Sequence, residues 1–529
     1  LGIAAKRKGT PSTADMEKLA DEFLIGKATV YGAASFYDFL KEENKGKEVY
    51  ICNGSSCMTA GTQKNLRKKL STHFAADKIG EMCCMGRCHE NSSFNYKGKN
   101  YSGKDISKIA EIKKGKYKSP GTYNVAHIGT PVLTAPFLGI DEFYADLSSW
   151  IKKGADALLS ELKDSGLRGR GGAGFPISFK LDSCRNTESE TKFIVCNADE
   201  GDPGAYSDRY LLEERPHLVL LGMMMAGFIA GANMGVLYIR AEYPEAIEIT
   251  QKAIDELAKR RLIGENILGS GFNYNFKIIK AQGAYICGEE TALLNSIEGQ
   301  RPEVRVRPPF PTQQGLFNKP TVVNNVESLA CIPFVLKNGG KKFASIGREK
   351  STGTKLVSLD SFFNKPGVYE ADMGTPLDDV FKKLGGGLKE KIKAFHIGGP
   401  LGGLVPAKET KKLSLDFESF SENGFLLGHA SVVSLPEKFS ILEYIEHLFQ
   451  FTAHESCGKC FPCRLGSTRG YELVNKAKSG KFKISKELMN DLLDTMETGS
   501  LCALGGGLPL PIKNALQHFD KELKPYFEK

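Results

Sequence analysis

Residues 166–176 read Gly-Leu-Arg-Gly-Arg-Gly-Gly-Ala-Gly-Phe-Pro, with five glycines and two arginines in eleven positions. Such a stretch has nothing with which to build a core. Closely spaced glycines leave backbone N–H groups free to wrap an anion, and guanidiniums supply the charge and forked donors that suit phosphate. The stretch therefore reads as a phosphate cradle. The preceding residues carry Leu158, Leu159 and Leu162 at helical spacing. A common dinucleotide-binding turn follows a strand, so this loop, which follows a helix, is of another kind. Taken alone, its composition is equally that of a plain turn.

Two later stretches add to it. Lys192 to Cys196 is a short apolar strand that runs into Asn197-Ala-Asp-Glu-Gly-Asp-Pro-Gly204. Amide and carboxylate side chains are thereby set at a strand's carboxyl end, where open α/β sheets bind ligands. Phe276 to Ile279 reads as a second strand, and Gly283-Ala-Tyr-Ile-Cys-Gly-Glu-Glu-Thr-Ala292 beyond it opens a helix with Glu289 and Glu290 in its first turn. Further along stand Arg305-Val-Arg-Pro-Pro-Phe-Pro311, Lys319-Pro-Thr-Val-Val-Asn-Asn-Val-Glu327 and a cysteine cluster near the C-terminus. With these motifs in this order, from about Leu167 to Leu504, the sequence resembles the flavin-bearing, NADH-oxidising subunit of respiratory complex I. It equally resembles that subunit's relatives in NAD-reducing hydrogenases and NAD-dependent formate dehydrogenases.

The resemblance implies FMN and NAD(H) as cofactors, with one [4Fe–4S] and one [2Fe–2S] cluster. It puts Gly169, Arg170, Gly171, Gly172 and Lys180 around the flavin phosphate and ring. Asn197, Asp199 and Glu200 are implied to hold the ribityl and isoalloxazine groups, and Asn324 and Asn325 to complete the phosphate pocket. The NADH side is expected from Phe175, Asp202, Gly288, Glu289, Glu290, Arg307 and Phe310, with Glu200 and Asp202 closest to the chemistry. Acidic groups near the ribose suit NADH, because they accept from a free 2′-hydroxyl and repel a 2′-phosphate. Leu181 and Ser183 stand where the complex I pattern has aromatic residues, so one face of the adenine sandwich is expected to be missing. Arg307 replaces a lysine of that pattern.

The chain's 529 residues allow three or four domains, and 41% hydrophobic content is ample for their cores. Leu218 to Ile239 is uncharged, but Gly231-Ala-Asn-Met-Gly235 splits it into a buried helix and a strand, so no membrane span is expected. The N-terminus lacks a signal peptide's apolar core; because it begins at Leu1, a preceding piece is expected to be missing or processed. A net charge of +9 is moderate, and the lysines of 44–47 and 113–118 read as solvated faces or linkers. Thirteen cysteines without a secretory signal point to a reducing, cytoplasmic compartment, where cysteine clusters bind metal.

The expected architecture is multidomain α/β. Residues 1–45 form a helical segment with an apolar face of Met16, Leu19, Phe23 and Leu24. Residues 46–107 resemble a thioredoxin-like [2Fe–2S] domain, with Cys52-x4-Cys57 and Cys84-x3-Cys88 as ligands. Four thiolates in two short loops can hold zinc or a [2Fe–2S] cluster, and zinc ribbons favour two-residue gaps, which turns the reading to iron–sulfur. Cys83 is a second candidate beside Cys84, chosen against because the family spacing points to Cys84. The run His89-Glu-Asn-Ser-Ser departs from the family pattern. A lysine-rich linker (108–140) leads to a Rossmann-like FMN- and NADH-binding domain (141–350). A β-grasp, ubiquitin-like domain (351–436) follows, in which His396 is expected to be structural. The last domain (437–529) is a helical bundle whose Cys457, Cys460, Cys463 and distant Cys502 suit a [4Fe–4S] cluster; zinc remains an alternative.

Hydride leaves NADH as an electron pair, whereas an iron–sulfur cluster takes one electron at a time; flavin converts between the two. The chain is expected to be the NAD(H)-oxidoreductase subunit, a diaphorase, of a larger redox complex. Its implied partners are a ferredoxin-like iron–sulfur subunit and a catalytic subunit of hydrogenase or formate dehydrogenase type. Fusion of the [2Fe–2S] domain to the flavin subunit leans toward those enzymes. Rival readings are an NADPH-using flavoprotein, with Arg301 and Arg305 as weak candidates for a 2′-phosphate, and a zinc-stabilised structural subunit. Nucleic acid is not expected, since no basic helix with interleaved aromatics is present.

Overall fold

The computed structural model describes residues 11–480 and 482–528; the expected helical segment before residue 11 lies outside the described residues. Helix α1 (Thr13–Glu22) starts in a capping box: the Ser12 hydroxyl accepts from the Asp15 N–H and the Asp15 carboxylate from the Ser12 N–H. It stops before Phe23 and Leu24, which are 64% and 92% exposed, so the expected apolar face is cut short. What anchors the segment is α2 (Lys27–Ala34) and the turn after it, where Ala33, Tyr37 and Leu40 pack with Val195, Val236 and Tyr238 of a sheet far along the chain.

Strands β1 (Val49–Cys52), β2 (Ile79–Met82), β3 (Ser93–Tyr96) and β4 (Lys99–Ser102) form a thioredoxin-like sheet in the order β2-β1-β3-β4. Its core is Val49, Ile51, Leu66, Leu70 and Phe94. Next comes β5 (Asn124–Ile128), within the stretch read from sequence as a linker.

The central sheet contains β6 (Phe193–Ala198), β7 (Met234–Ile239), β8 (Asn275–Lys280) and β9 (Thr321–Asn325), all parallel, in the order β8-β7-β6-β9. The chain leaves β6 toward β7 and β8 on one side and returns as β9 on the other. A crevice opens between the carboxyl ends of β6 and β9, where such reversals of strand order bind ligands. Around this sheet lie α3 (Ala155–Ser165), α4 (Ile177–Asn186), α5 (Ser207–Glu214), α6 (Pro216–Ala230) and α7 (Glu290–Ile297). The uncharged run divides as its glycines imply: α6 is buried on nearly every side, ends at Gly231 (φ +74°), and gives way to β7.

A mixed third sheet contains β10 (Thr354–Leu359), β11 (Gly367–Asp372), β12 (Ile392–Ile397), β13 (Gly403–Pro406) and β14 (Ser431–Pro436), in the order β13-β12-β14-β10-β11-β5. Thus β5 is its edge strand, parallel to β11, and the chain after β5 is fastened as well. Buried Glu370 accepts from the N–H groups of Val132, Leu133 and Thr134. A segment whose backbone donors are satisfied in this way is part of the fold. Helices α8 (Ile441–Glu455), α9 (Phe461–Lys478), α10 (Lys486–Gly499) and α11 (Pro509–His518) pack through Leu448, Phe449, Val474, Leu493 and Ile512, together with Ala394, Leu404 and Leu435 of the third sheet. His396 is structural: its Nδ1 lies 2.8 Å from the Tyr444 hydroxyl and its Nε2 3.1 Å from the Gly402 carbonyl. Among the described residues no helix is long and apolar enough to cross a membrane.

Candidate functional site

The glycine-rich loop links α3 to α4. It opens at Gly166 (φ +62°) and is closed by the Gly169 N–H donating to the Phe175 carbonyl at 2.8 Å. At Gly171 a Cβ would come within 2.9 Å of the Asn325 Cβ, so only glycine lets the loop lie against the end of β9. Gly172 (φ +131°) faces open space. The arginines do not serve the cradle as the sequence suggested. Arg170 is fully buried and its guanidinium donates to the Arg168 and Thr352 carbonyls. Arg168 pairs with Glu418 at 2.6 Å and donates to the Gly174 carbonyl. A guanidinium withdrawn from water must find such acceptors, and both fix the loop's shape from behind.

The ends of β6 and β9 form the facing wall. Asn197 and Asn325 are register partners. The Asn197 amide donates to the Gly288 carbonyl at 2.7 Å, and the Asn325 amide to Asp208 at 2.6 Å. Asn324 Nδ2 and Asp199 Oδ2 are buried without a partner. Buried polar atoms seldom go unsatisfied in a native protein, and these two border a cavity wall that includes Asn197 and Gly288. The space between loop and strands is a cavity of about 770 Å³, and Gly171, Asn197 and Asn325 also line an adjoining, smaller acidic chamber of about 210 Å³. A bare amide donor, a bare carboxylate and a glycine loop fit a group with a polar ring edge and a phosphate, as FMN has.

At the outer end, Glu290 is held by Lys180 at 3.0 Å and by Arg307 at 2.8 Å. Glu289 caps α7, one oxygen accepting from the Thr291 and Ala292 N–H groups at 2.9 Å. Phe175 and Phe310 line the mouth, 46% and 52% exposed. A third aromatic ring stands at this mouth. Phe179 lies edge-on to Phe175 at 5.5 Å and lines the same mouth, while Leu181 is fully buried and Ser183 donates to Thr312. Phe179 sits one turn before Ser183 on α4, and that i, i+4 spacing was the signal available in the sequence.

The acidic chamber holds Asp199, Glu200 and Asp202 after β6, with Asp208 of α5. Burial pushes the Asp199 and Asp202 carboxyls up. Burial, with Asp208 adding to it, pushes Glu200 up to about 7. Glu200 caps α5, accepting from the Asp208 and Arg209 N–H groups, and takes the Tyr243 hydroxyl at 3.0 Å. Asp202 accepts from the Tyr285 hydroxyl at 2.7 Å. Two of the lining residues with a carboxylate or imidazole side chain escaped the sequence reading: Asp208, and His429, which comes from the turn before β14. Nothing local marks His429, because only the packing of the third sheet on the second brings it here.

Eight of the cysteines form two groups, the first buried and the second half-buried at Cys460 and Cys502. Cys52 ends β1, Cys57 lies in the following helical turn, and the Cys84 and Cys88 sulfurs are 3.5 Å apart. Cys52 and Cys57 share one buried cluster, and each feels the charge of the Cys84 sulfur. Cys83 lies between the two groups, packed both against the core that holds Cys84 and Cys88 and against the one that holds Cys457 and Cys463. The Gly204 N–H, at the end of the acidic loop, donates to the Cys88 sulfur at 3.2 Å. The departure at His89 is a packing feature, its ring set against Tyr123 and Tyr206 at 5.0 and 5.1 Å. In the second group, Cys457 precedes the turn into α9, Cys460 is its N-cap residue, Cys463 lies in its first turn, and Cys502 precedes a short helix. The group packs together with Leu504 and Tyr285, and Cys502 itself lines the large cavity. Four free soft donors in each group suit clustered iron.

Three family models match the chain. The Nuo51 FMN-binding domain covers residues 162–334, the NADH-ubiquinone oxidoreductase-F iron–sulfur binding region 443–526, and the thioredoxin-like [2Fe–2S] ferredoxin 1–115. The NADP-reducing hydrogenase subunit HndC of Solidesulfovibrio fructosivorans is 40% identical over 370 residues, 69% of this chain and 75% of that protein. The F 2 subunit of the NADH-quinone oxidoreductase of Rhizobium meliloti is 38% identical over 376 residues, 70% of this chain and 89% of that protein. A solved chain of an NAD+-reducing [NiFe]-hydrogenase in the air-oxidised state superposes with a TM-score of 0.85 at 28% identity, over 98% of this chain and 91% of that one. The chain therefore belongs to the family of the F subunits of NADH-quinone oxidoreductase, the FMN-dependent NADH dehydrogenase subunits with a [4Fe–4S] cluster, and carries a thioredoxin-like [2Fe–2S] ferredoxin domain ahead of that part in the same chain.

Proposed function

We propose that NADH meets FMN in the cavity between the glycine loop and the ends of β6 and β9, and that single electrons leave through the cysteine groups in its walls. One observation carries this: Cys502 lines the cavity, and Cys88 accepts from the loop that forms the acidic chamber. Bound flavin supplies the exchange between hydride and single electrons. We assign Gly169, Gly171, Gly172 and Asn324 to the flavin phosphate, with Arg170 as the loop's internal brace. Asn197, Asp199, Glu200 and Asn325 hold the ribityl chain and ring. Phe175, Phe179 and Phe310 cover the adenine, and Asp202, Gly288 and Glu289 border the path toward the flavin. Glu290, steadied by Lys180 and Arg307, accepts from the ribose. Cys52, Cys57, Cys84 and Cys88 are assigned to the [2Fe–2S] cluster, and Cys457, Cys460, Cys463 and Cys502 to the [4Fe–4S] cluster.

Arg305 pairs with Glu298 at 2.8 Å and Arg301 lies 3.5 Å from Glu303, neither lining the cavity, which favours NADH over NADPH. The chain is a subunit of a hetero-oligomeric complex. For partners we assign a ferredoxin-like iron–sulfur subunit and a catalytic subunit, with hydrogenase favoured over formate dehydrogenase by the similar proteins above. The location we assign is cytoplasmic, in keeping with thirteen cysteines in the sequence and only free thiols among those described. An anaerobic absorbance spectrum before and after NADH, with iron and zinc counted, tests the reading. Flavin bleaching in a protein holding about six irons per chain supports it; zinc in place of iron, or an unaltered spectrum, overturns it.

A further inference from the structure

The acidic chamber contains a residue that the flavin site has so far not used. His429 sits in a turn pinned by close glycine packing: a Cβ on Gly428 would meet the Gly398 carbonyl oxygen at 2.4 Å. From there its side chain leaves the third sheet and enters the flavin domain, where it is 6% exposed. Its Nε2 lies 3.3 Å from Asp208 Oδ2 and its Nδ1 3.8 Å from Glu200 Oε1. That Nδ1 has no hydrogen-bond partner, and neither has Asp208 Oδ1.

Glu200, Asp208 and His429 lie close enough together to suggest a metal centre. The hydrogen bonds argue otherwise. The Glu200 oxygens already take the Asp208 and Arg209 N–H groups and the Ser207 and Tyr243 hydroxyls. Asp208 Oδ2 takes the Asn325 amide as well as facing the imidazole. The carboxylates are committed to the fold, and the ring is the group brought to them.

Charge explains why. Asp199, Glu200, Asp202, Asp208 and Glu289 line this chamber, and among its described lining residues none is lysine or arginine. Lys355 approaches His429 from β10, but it is fully buried and paired with Glu327. Arg240, at the end of the central sheet, also acts on Asp199 and Asp202, but it is buried and paired with Glu242 at 2.8 Å, which leaves His429 as the one cationic side chain among the described lining residues.

We propose that His429 sets the reduction potential of the bound flavin, by holding a positive charge at the acidic end of its cavity and so favouring the reduced, more negatively charged cofactor. Burial alone would keep the imidazole neutral. Asp208, with Glu200 behind it, outweighs burial and raises the group to about 9, so the charge persists through neutral pH. Charge near a flavin ring is one of the levers by which proteins tune it.

The inference rests on FMN binding in this cavity, and the test separates the two. The flavin midpoint potential is measured by spectroelectrochemistry from pH 7 to 10 in the full chain, wild type and His429→Gln, with bound FMN counted in each. Glutamine keeps a donor toward Asp208 but carries no charge. At pH 8 the variant, with FMN retained, is expected to show a more negative midpoint. The wild-type midpoint is expected to fall more steeply with pH from about 9 as the imidazole loses its proton. The variant lacks that steeper segment. Equal midpoints in FMN-loaded proteins, or a wild-type curve with no change of slope, overturn the role of His429. Wild-type protein that takes up no FMN removes the flavin site itself. The wild-type pH curve remains decisive should the variant fold poorly.

Discussion

At Cys460 a change of one atom discriminates between a ligand and a bystander, because the thiolates of a cluster act as a set and a hydroxyl is a poor substitute at iron. Cys460→Ser is expected to lose about four of the roughly six irons while retaining flavin; a full iron count in the purified variant contradicts the ligand set. Glu290 anchors two cations, Lys180 and Arg307. Its replacement by glutamine removes one acid, releases Lys180 toward a 2′-phosphate and leaves Arg307 only the longer pairing with Glu289, at 3.7 Å. The ratio of kcat/KM for NADH over NADPH should fall by about tenfold, or ~1.4 kcal/mol, and an unmoved ratio rejects Glu290 as the selector. Phe179→Ala should raise KM for NADH several-fold with kcat nearly kept, through loss of about 1 kcal/mol of ring contact; an unchanged KM places the adenine elsewhere. Glu200 gives a pH signature. In the folded chain it keeps its proton to about pH 7, against 4.5 for an ordinary glutamate. Folding therefore binds a proton in that window, and the stabilisation, full below 4.5, is lost as pH rises through 7. Thermal melts between pH 5 and 8 should show Tm declining more in the wild type than in Glu200→Gln, and equal slopes refute the assignment.

Among elements, the glycine loop is the most sensitive to shape. A side chain at Gly171 meets Asn325 at the end of β9, so Gly171→Val should push the loop off the strand and lower FMN retention without unfolding the sheet. Tight FMN binding by a folded Gly171→Val protein contradicts the cradle. Local pattern was enough to find the loop, its preceding helix, β6 and the division of the uncharged run into α6 and β7, because composition and periodicity act over a few residues. It could not reveal that Arg168 and Arg170 turn away from the cavity, since a guanidinium's acceptors lie on distant carbonyls such as Thr352. Nor could it find β5, whose partner β11 is remote in sequence and whose lysine-rich approach looks like a connector. His429 was hidden for the same reason, its role arising where two sheets meet.

Over the whole molecule, eight cysteines gather into two groups and five do not. Cys184, Cys196, Cys287 and Cys331 are buried apart from the groups, and Cys83 lies between them. Among the described residues no third metal-binding cysteine group is left to activate a second substrate. The purified chain is expected to reduce a one-electron dye with NADH but neither to oxidise hydrogen nor to convert formate. Either activity, in a preparation free of other subunits by mass spectrometry, contradicts the assignment of that step to a partner. The central claim is that hydride enters at the flavin and electrons leave singly through the cysteine groups flanking it. Electron paramagnetic resonance of the anaerobic protein after stoichiometric NADH tests it most directly. Loss of flavin absorbance is expected together with a reduced [4Fe–4S] signal that is absent from Cys460→Ser. Bleached flavin with no cluster signal in the wild type would contradict it.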